Sequence, residues 1–354
     1  MTYLITGGAG FIGSNFIHYM LRKHPQDNVI CLDALTYAGN LNSLAGAFEN
    51  DQFTFIKGDI ACEKDVNTVF ERERPDMVIN FAAESHVDRS IQDSQAFLRT
   101  NVYGTQILLE ACKKYSVRRF HQISTDEVYG DLPTNRPDLR FAENSPLKPS
   151  NPYSASKASA DLFTLAYART YSVPISISRC SNNYGTFQHP EKLIPLMILN
   201  AKEDKPLPVY GTGENVRDWI HVEDHCRAVD LILHHEGAEG QVYNIGGGSE
   251  VRNIDVVKAI LRAMDKPKTL ITYIKDRPGH DRRYAVDSSK LENELGWKPE
   301  IAFSKGLKET VRWYLKQTTW LEEIKQPTQV FEIIRNNDGK FSICTDRYRG
   351  IGAY

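Results

Sequence analysis

Residues 3–13 limit what this chain can fold into more than any other stretch. Tyr3-Leu4-Ile5-Thr6 is a short apolar run of strand character. Gly7-Gly8-Ala9-Gly10-Phe11-Ile12-Gly13 follows at once, and a helical pattern then runs from Phe11 to Lys23. Gly8, Gly10 and Gly13 satisfy G-x-G-x-x-G, while Gly7, Gly10 and Gly13 satisfy G-x-x-G-x-x-G. In such a strand–loop–helix, one glycine permits the tight turn. Another lets backbone approach a pyrophosphate, and the last lets helix pack on strand. The helix N-terminus offers unpaired N–H groups and partial positive charge to phosphates. Asp33 closes the next strand-like run, twenty residues after Gly13. A carboxylate there accepts from adenosine ribose hydroxyls and repels a 2′-phosphate, so the expected cofactor is NAD rather than NADP.

Strand and helix patterns alternate from there. Strands are predicted at Asn28 to Leu32, Phe53 to Ile56, Met77 to Ala82, Arg119 to Ser124 and Pro174 to Ser178. Helical periodicity is clearest over Ala96 to Tyr115 and Ser154 to Tyr171. Short, near-continuous apolar strands between helices imply a parallel sheet covered on both faces. Right-handed crossovers make this an α/β, Rossmann-type doubly wound parallel sheet, with ligands at the carboxyl ends of the strands. After about Arg179 the segments shorten and Pro, Gly and Asn accumulate. The expected division is a dinucleotide-binding domain over 1–180, with a return segment at about 219–246. A smaller mixed α/β substrate lobe takes 181–218 and 247–324. The return comprises a helix from Val222 to His235 and a strand from Val242 to Ile245. In the tail, 325–354, Asn337-Asp338-Gly339 between two apolar runs predicts a β-hairpin.

A net charge of −2 gives no electrostatic reason for nucleic acid or an anionic membrane as partner. No apolar run approaches the roughly 18–20 residues that span a bilayer. The chain opens directly on strand and glycine loop, so no signal peptide is expected. Six scattered cysteines without a C-x-x-C pair point to free thiols in a reducing compartment, hence the cytoplasm. His221-Val222-Glu223-Asp224-His225 is not H-E-x-x-H, and no metal site is expected.

Two further motifs carry chemistry. Tyr153-Ser154-Ala155-Ser156-Lys157 puts a phenol and an ammonium on one helix face, one turn apart. Tyrosine titrates near 10, so a nearby ammonium is expected to lower it and make Tyr153 a base. Lys157 is also placed to hold the nicotinamide ribose. Ser124-Thr125-Asp126-Glu127-Val128-Tyr129-Gly130 sets two carboxylates at a strand end. Eliminating water β to a ketone needs a base for the α-proton and an acid for the leaving hydroxyl. Glu127 is expected to be the base. Asp126 is expected to be the acid, with a raised pKa. Asp59-Ile60 is placed to flank the adenine, and Ala82-Ala83-Glu84-Ser85-His86 to line the cofactor.

At these residues the chain resembles the extended short-chain dehydrogenase/reductases. Within them it is similar to the 4,6-dehydratases of dTDP-glucose. The likeness covers roughly residues 1–320. It rests on Gly7 to Gly13, Asp33 to Asn40, Ala82 to Asp88, Ser124 to Gly130, Tyr153 to Lys157, Ser181 to Gly185, Arg217-Asp218-Trp219 and Arg277-Pro278-Gly279-His280. It implies that Tyr153 deprotonates the glucose 4-hydroxyl, held by Thr125, while hydride leaves C4 for NAD. Glu127 then removes the C5 proton, Asp126 protonates the departing 6-hydroxyl, and hydride returns to C6. By the same resemblance Leu35, Thr36, Thr100, Ser124 and Asn183 join the NAD site. Ser85, His86, Asn182, Lys192, Leu193, Pro208, Val209, Tyr210, Arg217, Asn253, Arg277 and His280 hold the nucleotide sugar, with the two arginines on the diphosphate. The resemblance also implies a helix-mediated homodimer. It is silent on the tail. A nucleotide-sugar 4-epimerase or decarboxylase, a UDP- or GDP-sugar dehydratase, and a non-catalytic dinucleotide sensor are the alternatives. The first and last would not need both carboxylates.

Overall fold

The structure, a computed structural model, describes residues 1–324 and the two short strands at 333–335 and 341–343. Seven strands form one sheet: β1 (Thr2–Thr6), β2 (Asn28–Asp33), β3 (Phe53–Lys57), β4 (Met77–Asn80), β5 (Arg119–Thr125), β6 (Ile175–Cys180) and, late in the chain, β10 (Gln241–Ile245). Their order is β10-β6-β5-β4-β1-β2-β3, and every neighbouring pair is parallel. The chain builds outward from β1 to β3, then crosses to β4 on the other side of β1. The direction of winding therefore switches between β1 and β4, where Thr6 lies opposite Asn80. In doubly wound sheets this crevice is the ligand site.

Both faces of the sheet are covered, which is why its strands read as continuous apolar runs. The helices Phe11–Lys23 and Val222–His234 close one face over Phe16, Ile17, Met20, Val229 and Ile232. The helices Glu63–Glu73, Thr105–Tyr115 and Pro152–Tyr171 close the other over Phe70, Leu108, Phe120 and Ile177. Each such side chain, fully buried, contributes about 1.5–3 kcal/mol.

The helix expected over 96–115 is interrupted. Gln95–Phe97 leads into a π-helical stretch, Leu98–Gly104, before regular α-helix resumes. Inside that stretch Asn101 donates to Glu84 O and Ser156 Oγ and accepts from Glu84 N. The helix expected from Ser154 begins two residues earlier. Asn151 and Ser154 form a capping box and Pro152 takes the first turn, where its missing N–H costs nothing.

Beyond β6 a smaller sheet orders β11 (Glu250–Arg252), β9 (Val216–His221) and β7 (Asn182–Tyr184). A separate pair joins β8 (Leu207–Tyr210) to β12 (Ile271–Ile274). The helices Leu193–Lys202, Asn253–Ala263 and Phe303–Lys316 pack on these around Tyr184, Met197, Trp219, Ile260 and Tyr314. Trp219 to His221, expected in the returning segment, instead belong to β9. The return consists of the helix Val222–His234 and β10. Ile333–Arg335 and Phe341–Ile343 pair antiparallel, and the expected Asn337-Asp338-Gly339 turn between them lies outside the described residues. Among the described residues no helix is long and apolar enough to cross a membrane.

Candidate active site

A cavity of about 450 Å³ opens at the carboxyl ends of β1, β4, β5 and β6. Its near wall is the glycine loop. Gly7 has φ +68, and a Cβ on it would sit 2.5 Å from Ala82 N. A Cβ on Gly13 would meet Gly7 O at 2.4 Å. Turn, neighbouring strand end and helix thus abut where only glycine fits. Gly8 faces the other way, and its Cβ would strike Ile17 Cδ1 and Cys31 Sγ. Of the two overlapping motifs, Gly7-x-x-Gly10-x-x-Gly13 is therefore the one that faces the cavity.

Phe11, Ile12, Asp33, Thr36, Asp59, Ile60, Ala82, Ala83, Ser85, Thr100, Ser124 and Asn183 line the same space. Asp33 ends β2 and accepts Ala9 N at 2.9 Å and Leu35 N at 2.7 Å. Burial raises its carboxyl pKa, and those two N–H groups oppose the rise. Glycine cradle, uncapped helix start and buried acid fit an NAD molecule. Leu35 does not line the cavity. Its backbone takes the left-handed conformation at φ +53 and its side chain packs against the core.

Thr125, Asp126, Glu127, Tyr153 and Lys157 come together at the floor. β5 stops at Thr125, whose Oγ accepts Glu127 N and starts a 3₁₀ turn over Asp126–Tyr129. Asp126 is buried. Thr125 Oγ donates to its Oδ1 at 3.3 Å, and Oδ2 has no hydrogen-bond partner among the described residues. Burial, then the charges of Glu127 and Asp218, push its carboxyl well above the usual range. Burial also raises Glu127, but Arg217, Arg277 and Lys192 pull it back.

The phenol departs from expectation. Burial first, then Glu127, raises the Tyr153 pKa well above 10.0, while a Thr125 hydrogen bond opposes this. Lys157 donates instead to Ile123 O at 2.6 Å. Burial lowers the Lys157 pKa, and Asp161, one turn further along the helix, raises it. Burial, then the charges of Glu127 and Cys180, hold the phenol up, and the expected lowering by the ammonium does not follow from the spacing.

On the substrate side Lys192 Nζ donates to Ser85 O at 2.9 Å. Lys192 and Asn182 line the cavity, and Asn182 Oδ1 is buried without a partner among the described residues. His86 caps the helix Val87–Gln92, its Nε2 3.7 Å from the Glu191 carboxylate. Arg217 donates to Asp281 O at 2.9 Å and lies over the Tyr284 ring. Tyr210, Arg277 and His280 cluster around Asp88: Arg277 lies 3.5 Å from its carboxylate, and His280 meets the Tyr210 ring edge-on. Of the expected nucleotide-sugar ligands, only Ser85, Thr125, Asn182 and Lys192 line the cavity; His86, Tyr210, Arg217, Arg277 and His280 lie outside its lining, as do Leu193, Pro208, Val209 and Asn253. Leu193 and Val209 pack into the core of the smaller region, because β8 turns Val209 inward and Tyr210 outward. Pro208 sits in β8 opposite Thr272, and Asn253 opens a helix with its N–H on Asn215 O.

Several residues at the site escaped the sequence reading. Arg99, Gln188, His189 and Glu191 line the cavity. Arg99 pairs with Asp59 at 2.7 Å, and Asn101 ties the Glu84 loop to the helix carrying Tyr153. His225, one end of the motif set aside as a metal site, bonds Asn183 Oδ1 at 2.9 Å and so orients that residue. His221 caps the helix through Glu223 N. Adjacency to Lys192 was the available signal for Glu191. Arg99 and Asn101 had none.

Residues 4–310 match the family described as GDP-mannose 4,6 dehydratase. A dTDP-glucose 4,6-dehydratase of Salmonella typhimurium is 48% identical, covering 96% of this chain and 100% of the relative. The solved dTDP-glucose 4,6-dehydratase of Bacillus anthracis, in complex with NAD, shares 49% identity and a TM-score of 0.85, covering 92% of this chain and 100% of that one. The Streptomyces venezuelae dTDP-glucose 4,6-dehydratase, solved with NAD and dTDP bound, shares 45% identity at a TM-score of 0.88, again over 92% and 100%. Fold, site composition and near-full-length identity agree, and the chain belongs to the dTDP-glucose 4,6-dehydratase family.

Proposed function

We propose that this protein converts dTDP-glucose to dTDP-4-keto-6-deoxyglucose and water, using NAD that is regenerated within each turnover. The observation that carries the reading is the differently tuned pair Asp126 and Glu127, on the same cavity floor as Tyr153 and Lys157. NAD, which the Gly7–Gly13 loop, Asp33 and Lys157 would hold, would supply the positive charge and the hydride acceptor and donor that oxidation at C4 and reduction at C6 need. Tyr153 Oη takes the proton of the 4-hydroxyl, and Thr125 Oγ holds that oxygen. Glu127, kept more acidic by Arg217, Arg277 and Lys192, removes the C5 proton. Asp126, kept protonated by burial, delivers its proton to the 6-hydroxyl as it leaves as water. Lys157, anchored on Ile123 O, holds ribose. Arg217 and Arg277 take the diphosphate, and Tyr210 takes the thymine. A 4-epimerase needs no acid at C6, so the carboxylate pair favours dehydration.

The enzyme works as a homodimer in this reading. Leu98 and Tyr103 on one helical segment, and Leu162 and Phe163 on the helix Pro152–Tyr171, expose large apolar side chains at 55%, 52%, 58% and 43%. A second copy covers them through the same helices. Cys31, Cys112, Cys180 and Cys226 are buried and unbridged, which suits a reducing, cytoplasmic setting.

The test is incubation with dTDP-glucose carrying deuterium at C4. The expected product is a 4-keto-6-deoxy sugar with deuterium in its methyl group and no net use of NAD. Release of the label to water, or turnover of UDP- or GDP-glucose in place of dTDP-glucose, contradicts the reading.

A further inference from the structure

The helices Phe11–Lys23 and Val222–His234 end side by side, and their last turns bring His24, Asp230 and His234 together. One ligand atom from each residue lies within 4.8 Å of the others. Asp230 Oδ1 is 2.8 Å from His24 Nε2 and 3.0 Å from His234 Nδ1, and the two imidazoles stack with centroids 4.9 Å apart. We propose that this cluster is a binding site for a divalent transition-metal ion, Zn²⁺ by preference, held by His24 Nε2, His234 Nδ1 and an Asp230 oxygen with water completing the shell.

Four observations support it. The ligand set is chemically selective: two imidazoles in their neutral form and one carboxylate suit Zn²⁺, Ni²⁺ or Cu²⁺, whereas Mg²⁺ and Ca²⁺ want oxygen shells, and uptake displaces the proton that Asp230 favours on His234 Nδ1. The spacing is close to what is required, since bonds of about 2.0–2.1 Å put tetrahedral ligand atoms about 3.3 Å apart. Small side-chain rotations bring the two nitrogens in. The ligands are also oriented from behind. Tyr19 donates to Asp230 Oδ2 at 3.0 Å. His234 Nε2 meets Tyr3 OH at 2.9 Å, which in turn reaches Asp27 Oδ2 at 3.2 Å. Such partners fix imidazole tautomer and carboxylate rotamer in metal sites. Finally, two helix C-termini converge here, and their partial negative charge favours a cation. Access is open, because the His24 and His234 side chains remain 24% and 30% exposed.

No contiguous motif marks this site, since its residues come from two helix ends about two hundred positions apart. It sits about 20 Å from the glycine loop, the length of the helix Phe11–Lys23 at 1.5 Å per residue. A metal here braces the two helices at the end of the sheet away from the carboxyl ends of its strands, and its presence is independent of the proposed activity.

The experiment is a Zn²⁺ titration of the untagged, chelator-stripped full chain against a chromophoric chelator, with no substrate added. The expected result is one Zn²⁺ per chain, no competition from Mg²⁺, and a rise in melting temperature on loading. His24→Gln and His234→Gln each remove the stoichiometric uptake while folding as the parent does, and Tyr3→Phe weakens it about tenfold. Absence of stoichiometric uptake overturns the proposal and leaves a histidine–carboxylate ion pair in its place. Uptake unchanged in both histidine variants overturns it too.

Discussion

Asp126 and Glu127 are adjacent in sequence, yet three cations act on Glu127 and Arg217 alone among them acts on Asp126. Both carboxyls are raised by burial, but Arg217, Arg277 and Lys192 partly oppose this at Glu127, whereas at Asp126 the repulsion of Glu127 and Asp218 adds to it and outweighs Arg217. Two chemically similar groups are thereby set to hold a proton and to take one.

The Asp126 setting has a consequence for stability. Its folded pKa lies above the ordinary 3.8, so the folded state holds this proton more tightly than the unfolded chain does. That contribution is fully present in acid and is lost as pH rises through the folded value. Asp126→Asn cannot ionise and escapes the loss. Thermal unfolding is therefore expected to show the variant gaining on the parent from acid toward neutral and alkaline pH. Its dehydration rate is expected to fall by about 10²–10⁴.

Tyr153→Phe removes the group that accepts the first proton. Both dehydration and any reduction of bound cofactor are expected to drop by about 10²–10⁴, with substrate binding retained by calorimetry. Cofactor reduction at the parental rate would remove Tyr153 from its role.

Gly7 takes φ +68 with Ala82 backbone where a Cβ would go. Gly7→Ala is expected to destabilise the chain by at least about 1–2 kcal/mol from the left-handed conformation alone. It also pushes the loop off its neighbour. Denaturant unfolding measures the first effect, and the NAD content of purified protein measures the second.

Asp33→Asn keeps the shape of the side chain and removes its charge and one of two acceptors. Weaker retention of NAD and a smaller preference for NAD over NADP are expected in equilibrium binding. Discrimination equal to the parent's would show that Asp33 does not read the ribose.

Most of the sheet was legible because its strands are buried on both faces and leave continuous apolar runs, as in β1, β2 and β5. The glycine loop and the Asp126-Glu127 pair were legible because chemistry there demands particular residue types within a few positions. What escaped depends on through-space contact. Glu191 and Arg99 enter the cavity from helical and loop segments with no distinctive spacing. Asn101 widens a helix by bonding a loop seventeen residues away. Leu35, Leu193 and Val209 lie next to site residues in sequence, but local backbone geometry turns their side chains into the core. The acidity of Tyr153 was misjudged from its spacing to Lys157, since spacing does not reveal how deeply a phenol is buried or what other charges surround it.

The division of labour between the two carboxylates is tested most directly by Glu127→Gln mixed with dTDP-glucose and followed by near-ultraviolet absorbance. The absorbance of reduced nicotinamide is expected to rise and persist, with no 4-keto-6-deoxy sugar formed. Product formation at the parental rate, with no such absorbance, would contradict it.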